Sequence, residues 1–116
     1  MFKTDQEQFW AGEFGDNYIE RNRSDDLIAS NIALFSRIFQ RTQTINSVLE
    51  LGANIGLNLK AIRHLLPKAS LSAVEINTNA VAVLRNWLEA ECKNGGGKLY
   101  IHQYSIGYPL KLLILY

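Results

Sequence analysis

The chain has 116 residues, 47% of them apolar and 20% charged, with a formal net charge of +1. That length supplies one small domain with a core and excludes two independent ones. Charges that nearly cancel and do not cluster exclude the electrostatic footprint of a nucleic-acid binder. Arg21 and Arg23, a close cationic pair, read as a solvated face. The single cysteine, Cys92, excludes an internal disulfide and fits a reducing compartment. Two histidines, His64 and His102, are too few for a zinc site, which draws on about three or four nitrogen or sulfur ligands, so no metal is expected. The first residues lack the apolar run of a secretory signal, which predicts a cytoplasmic protein. No stretch reaches the roughly 18 apolar residues of a membrane span, so no membrane partner is expected.

The predicted elements follow from the periods. Thr4 with Glu7 three residues on forms a capping box and starts a short helix carrying Phe9 and Trp10. Two glycines in Gly12-Glu13-Phe14-Gly15-Asp16-Asn17-Tyr18 then read as an aromatic-rich loop. Ser24, Asp25 and Asp26 open a longer helix, with Leu27, Ile28, Ile32, Leu34, Phe35, Ile38 and Phe39 expected on one face. After a polar break at 41–46, Val48 to Leu51 reads as a first strand. Leu57, Ala61, Ile62, Leu65 and Leu66 recur at helical spacing until Pro67 stops the run. Leu71 to Ile76 is a second strand. Asn77 or Thr78 can cap a helix with the apolar face Ala80, Val81, Leu84, Trp87 and Leu88, which Gly95-Gly96-Gly97 ends. A third strand is expected at 98–104. Strand alternating with helix predicts an α/β fold with a Rossmann-like parallel sheet of three to four strands and flanking helices. Residues 1–46 form an N-terminal helical segment and 47–116 the sheet core, together one domain.

Chemistry is suggested at one place. The first strand ends in Gly52-Ala53-Asn54-Ile55-Gly56 and the second in Glu75, 19 residues beyond Gly56. A ligand lying across the end of a strand needs close backbone approach and positive φ, which glycine permits, and the next helix aims its first amides at that ligand. A carboxylate at the end of the second strand suits ribose hydroxyls. A dinucleotide fingerprint has glycines at its first, third and sixth places. Here the first and fifth are glycine, the third is Asn54 and the sixth is Leu57. Glu50, just before the turn, would repel a pyrophosphate but suits an amino-bearing ligand. The plainer readings are that Gly52 turns the chain, Gly56 lets helix pack on strand and Glu75 caps the next helix.

Glu50-Leu51-Gly52-Ala53-Asn54-Ile55-Gly56 resembles the first motif of class I S-adenosylmethionine-dependent methyltransferases, with Asn54 in place of the middle glycine. The resemblance implies S-adenosyl-L-methionine as cofactor, with Gly52, Asn54 and Gly56 beside its methionine part, Glu50 near its ammonium, and Glu75 and Ile76 at its ribose end. The chain is more narrowly similar to the pseudaminic acid biosynthesis-associated methylases. That similarity rests on Phe9-Trp10, the stretch from Gly12 to Arg23, Asn31, the Glu50 motif and Val74-Glu75-Ile76-Asn77. It covers about Thr4 to Ser105. It implies a small-molecule acceptor, a nonulosonic sugar or its precursor, and an N-terminal segment that closes over the site, with Trp10, Tyr18 and Arg21 as contacts. Ser105 and Ile106 match a further cofactor contact, whereas Gly107 stands where the family has an acid.

The resemblance also implies a C-terminally truncated fold, since strands four to seven of a complete class I methyltransferase have no counterpart after Leu110. No catalytic base can be named. An unpaired first strand would offer its edge to another copy. Leu110 to Leu115 is expected to lie beside it and make a fourth strand. Two other function classes stay open: an NAD-type oxidoreductase fragment, and a non-catalytic remnant that associates through a sheet edge.

Overall fold

In a computed structural model, residues 4–13, 15–16, 25–93, 97–103 and 112–115 are described, the last four as backbone. Helices α1 (Asp5–Ala11) and α2 (Asp25–Phe39) precede strand β1 (Ser47–Leu51). There follow α3 (Leu57–Leu65), β2 (Ser70–Val74), α4 (Thr78–Lys93), β3 (Leu99–His102) and β4 (Leu112–Leu115). The sheet runs β3-β2-β1-β4. β1 is parallel to β2, and β2 to β3. This is a Rossmann-like α/β arrangement.

The fourth strand lies beside β1, as expected from the apolar run, but it is antiparallel, with Leu51 opposite Leu112 and Val48 opposite Leu115. The sheet is therefore mixed and not wholly parallel. An antiparallel neighbour, unlike a parallel one, can be joined without a helical crossover.

Register lines up Val48, Leu71 and Leu99 on one face of the sheet, with Ala73 beside them. All four are buried, and they form one core with Phe35 of α2, Leu59 and Ile62 of α3 and Leu84 of α4. Three helices thus cover a single face. On the other, Leu49, Leu51 and Ser72 are half-buried and Tyr100 is 45% exposed.

Helix α2 corrects the reading of one apolar face. Ile28, Ile32, Phe35 and Phe39 turn to the core, at spacings of four, three and four. Leu27, Leu34 and Ile38 are offset by one residue and point outward, with Leu34 52% exposed. An offset of one position turns about 100° around a helix, so two apolar stripes merge in a count along the sequence.

The N-terminal helix begins as read, with Thr4 Oγ1 accepting from the Glu7 amide at 3.1 Å. The glycine-containing stretch after it differs from the expected loop. Glu13 and Gly15–Asp16 are helical, and the Asp16 amide donates to Gly12 O at 3.1 Å, four residues back. Both histidines are helix and strand residues, His64 in α3 and His102 in β3.

One fixture of the core was not expected. Arg63, only 7% exposed, is on the buried side of α3, four residues after Leu59. Its Nη1 donates to the carbonyls of Leu66, Pro67 and Ala69, and its Nη2 to those of Gly97 and Lys98. The guanidinium therefore ties the end of α3 to the approach of β3. Its Nε lies 3.2 Å from Glu91 Oε2, close enough for charge attraction but without hydrogen-bond alignment. Burial pulls the Arg63 pKa below its ordinary value, and the Glu91 carboxylate opposes that shift.

A glycine turn and two carboxylates at the end of the parallel strands

The turn after β1 is built on three residues with positive φ: Gly52 at 76°, Asn54 at 53° and Gly56 at 83°. A chain that must reverse from strand to helix within five residues uses such conformations. Glycine adopts them without strain, and asparagine tolerates them better than other side chains do. Amides of Gly52 and Ala53 both donate to Val74 O, at 2.8 and 3.1 Å, which fastens the turn to the end of β2.

Gly56, the N-cap residue of α3, has a second reason to be glycine. A Cβ there would stand 2.6 Å from Leu84 Cδ2 and 3.6 Å from the Trp87 ring. The close approach is therefore between the start of α3 and the flank of α4, rather than between a helix and a strand.

Glu75 follows β2 directly and is 8% exposed. Its Oε1 accepts from the Asn54 amide at 2.7 Å, across the gap between the two strand ends. Its Oε2 accepts from the amides of Ile76 and Asn77, both at 2.8 Å. The two spots singled out in the sequence are thus in direct contact. As a carboxylate, Glu75 has about four lone-pair sites, of which these bonds use three, leaving one on Oε1. It does not cap α4. That task falls to Asn77, whose Oδ1 accepts from the Ala80 amide at 2.9 Å.

Glu50, 3% exposed, sits on the helix-covered side of β1. Its Oε2 accepts from Asn58 Nδ2 at 2.7 Å, and Asn58 Oδ1 accepts in turn from Asn31 Nδ2 at 3.0 Å. This relay runs from the strand through the first turn of α3 to α2. Asn58 went unread in the sequence, although a polar side chain in the first turn after a glycine bend is a fair signal for one. In the turn itself, Asn54 Oδ1 is buried without a hydrogen-bond partner among the described residues. A buried polar atom left so is uncommon and costly.

Of the other expected contacts, Ile76 is half-buried, and its carbonyl accepts from Gln103 Nε2 at 3.4 Å. Trp10 is half-buried, edge-on to Phe9 at 5.6 Å, and its carbonyl accepts from Asn77 Nδ2 at 2.9 Å. Tyr18, Arg21, Ser105 and Ile106 lie outside the described residues. Among the described residues no helix is long and apolar enough to cross a membrane, and no group of three or more His, Cys, Asp or Glu could hold a metal ion.

Fold and turn together define a class: a Rossmann-like α/β protein whose glycine bend and acid meet at the carboxyl end of adjacent parallel strands. No protein-family model matches the chain, and no curated protein matches it. Among solved structures it is similar to the glycopeptide N-methyltransferase MtfA complexed with (S)-adenosyl-L-methionine, with a TM-score of 0.45 and 18% sequence identity. The alignment covers 74% of this chain and 43% of that one, so the chain spans less than half of that structure.

Proposed function

We propose that the chain holds S-adenosyl-L-methionine at the Gly52–Gly56 turn and takes part in methyl transfer to a small-molecule acceptor. The observation that carries this reading is the meeting of turn and acid, with Asn54 N 2.7 Å from Glu75 Oε1. The residues fit such a cofactor in three respects. Gly52 presents bare backbone at positive φ. Asn54 Oδ1 is a buried acceptor without a partner among the described residues. Glu75 retains acceptor capacity for a hydroxyl. Glu50 adds negative charge near the turn, which favours a ligand bearing an ammonium over one bearing a pyrophosphate.

When bound, the cofactor supplies an electrophilic methyl group on a sulfonium centre. Glu75 would accept from ribose hydroxyls, exchanging its bond to the Asn54 amide for one to the ligand. That amide would then be free to donate to the cofactor. The N-terminal segment, with Trp10, Tyr18 and Arg21, would exclude water and hold the acceptor in line with the methyl, which is where most of the acceleration in such transfers arises. Ile76, Ser105 and Ile106 complete the proposed cofactor contacts. The likeness of the N-terminal and Glu50 motifs to pseudaminic acid biosynthesis-associated methylases supports a nonulosonic sugar or its precursor as acceptor, in the cytoplasm.

Calorimetric titration with S-adenosylhomocysteine and, separately, with NAD tests the reading. Binding of the first with loss of affinity in Glu75→Ala is expected, whereas tighter binding of NAD would overturn it. A second reading, a non-catalytic remnant that self-associates, is favoured by the outer edges of β3 and β4, which have no paired strand among the described residues. Light scattering that finds a stable oligomer, with no heat from either nucleoside, would favour that reading instead.

A further inference from the structure

Asn77 makes more contacts than a helix cap requires. Its Oδ1 caps α4 through the Ala80 amide, and its own amide donates to Glu75 Oε2 at 2.8 Å. The side-chain Nδ2 is turned the other way, toward the N-terminal segment. It donates to Trp10 O at 2.9 Å and Asp16 Oδ1 at 2.9 Å, with Ala11 O at 3.3 Å sharing one of its two hydrogens. These acceptors lie more than 60 residues away in the chain, at the end of α1 and in the short helical stretch after it. Gly15 seals the contact. A Cβ on it would overlap the Trp10 carbonyl and stand 2.8 Å from Asn77 Nδ2.

We propose that Asn77 is a positioning residue that couples docking of the N-terminal segment to occupation of the Glu75 site. This rests on the cofactor reading above. One residue touches both ends of the link, its backbone amide on Glu75 and its side chain on the N-terminal segment. A ligand that draws Glu75 Oε1 from the Asn54 amide reorients the carboxylate whose other oxygen holds Asn77 N. Any shift of the 75–77 turn is then carried to Trp10 and Asp16 through bonds of about 3 Å. Linkage makes the effect reciprocal, so seating the segment also biases Glu75 Oε1 between the Asn54 amide and the ligand.

Hydrogen exchange by mass spectrometry on the full chain, with and without S-adenosylhomocysteine, tests the coupling alongside calorimetry. Two variants separate it from folding. Asn77→Ser keeps a capping oxygen for Ala80 but has no amide donor. Gly15→Ala disrupts the seat while leaving Asn77 itself unsubstituted. In the native chain the ligand is expected to slow exchange both at 52–56 and at 5–13. In either variant 5–13 should exchange about tenfold faster without ligand, the loss of one or two hydrogen bonds. Ligand should then protect 52–56 alone. If the native chain binds and protects 52–56 while 5–13 does not respond, or if both variants leave exchange at 5–13 unchanged, the coupling is overturned. No heat from the native chain overturns the cofactor reading itself, a different result from either of these.

Discussion

Replacing Gly56 by alanine isolates what the turn demands of the fold. Alanine at φ 83° carries left-handed strain of about 1–2 kcal/mol. Its Cβ would also lie 2.6 Å from Leu84 Cδ2, a side chain with no solvent exposure and so little room to retreat. Overpacking at such a site costs about 1–3 kcal/mol. Together Gly56→Ala should lose about 2–5 kcal/mol, a large share of the roughly 5–15 kcal/mol that holds a domain folded. With an unfolding entropy of about 2.1 cal/mol/K per residue, a chain of 116 residues loses about 4 °C per kcal/mol, so the melting temperature should fall by about 8–20 °C. Urea denaturation should show a lower midpoint at unchanged slope. The packing part can be separated by a double-mutant cycle with Leu84→Ala, which alone leaves a cavity costing about 2–5 kcal/mol. With the offending methyl gone, the double variant should fall short of the sum of the single losses by about 1–3 kcal/mol. If the two losses simply add, to within about 0.5 kcal/mol, the clash with Leu84 is not what requires glycine at position 56.

Arg63→Met should destabilise by about 3–5 kcal/mol in denaturant titration, because five carbonyls lose a donor and Glu91 loses its nearby charge. Arg63→Lys should recover only part, since an ammonium cannot fork between the end of α3 and the approach of β3; full recovery would mean that charge alone matters there. Glu75→Gln should weaken S-adenosylhomocysteine at least about tenfold in calorimetry, since charge-assisted bonds to hydroxyls are each worth about 1.5–3 kcal/mol, and unchanged affinity would refute the ribose role. Leu34→Ser, on the outward stripe of α2, should change the unfolding midpoint by no more than about 0.5 kcal/mol equivalent, and a larger loss would show Leu34 to be packed.

Much of the sheet core was legible because its signals are local. Val48 to Leu51 ends at a glycine, Leu71 onward ends at an acid, and helical spacing from Leu57 to Leu66 stops at Pro67. These patterns set β1, β2 and α3 within one or two residues. What the sequence withheld depends on who meets whom. The Glu75 carboxylate was read as facing a ligand, yet three backbone amides hold it. Nothing in a linear pattern tells an acceptor's partner. Arg63 lies among Leu59, Ile62 and Leu66, where a charge on an apolar stripe could have been noticed, but its five carbonyls come from segments up to 35 residues away. Asn77 was legible as a cap from its place before α4, whereas its grip on Trp10 and Asp16 is a matter of tertiary assembly. The direction of β4 was also beyond reach, because a run of leucines pairs equally well either way up.

That reversed strand changes the surroundings of the glycine turn. In a doubly wound sheet, the slot beside the first strand opens where two chains leave in opposite directions, each flanked by the amino end of a helix. Here Leu112 stands opposite Leu51, so backbone arrives at the rim where β1 departs. Among the described residues, α3 is the helix that opens directly after β1. A guest settling there would meet a helix dipole on one flank and the backbone of Leu112 on the other, an asymmetric berth.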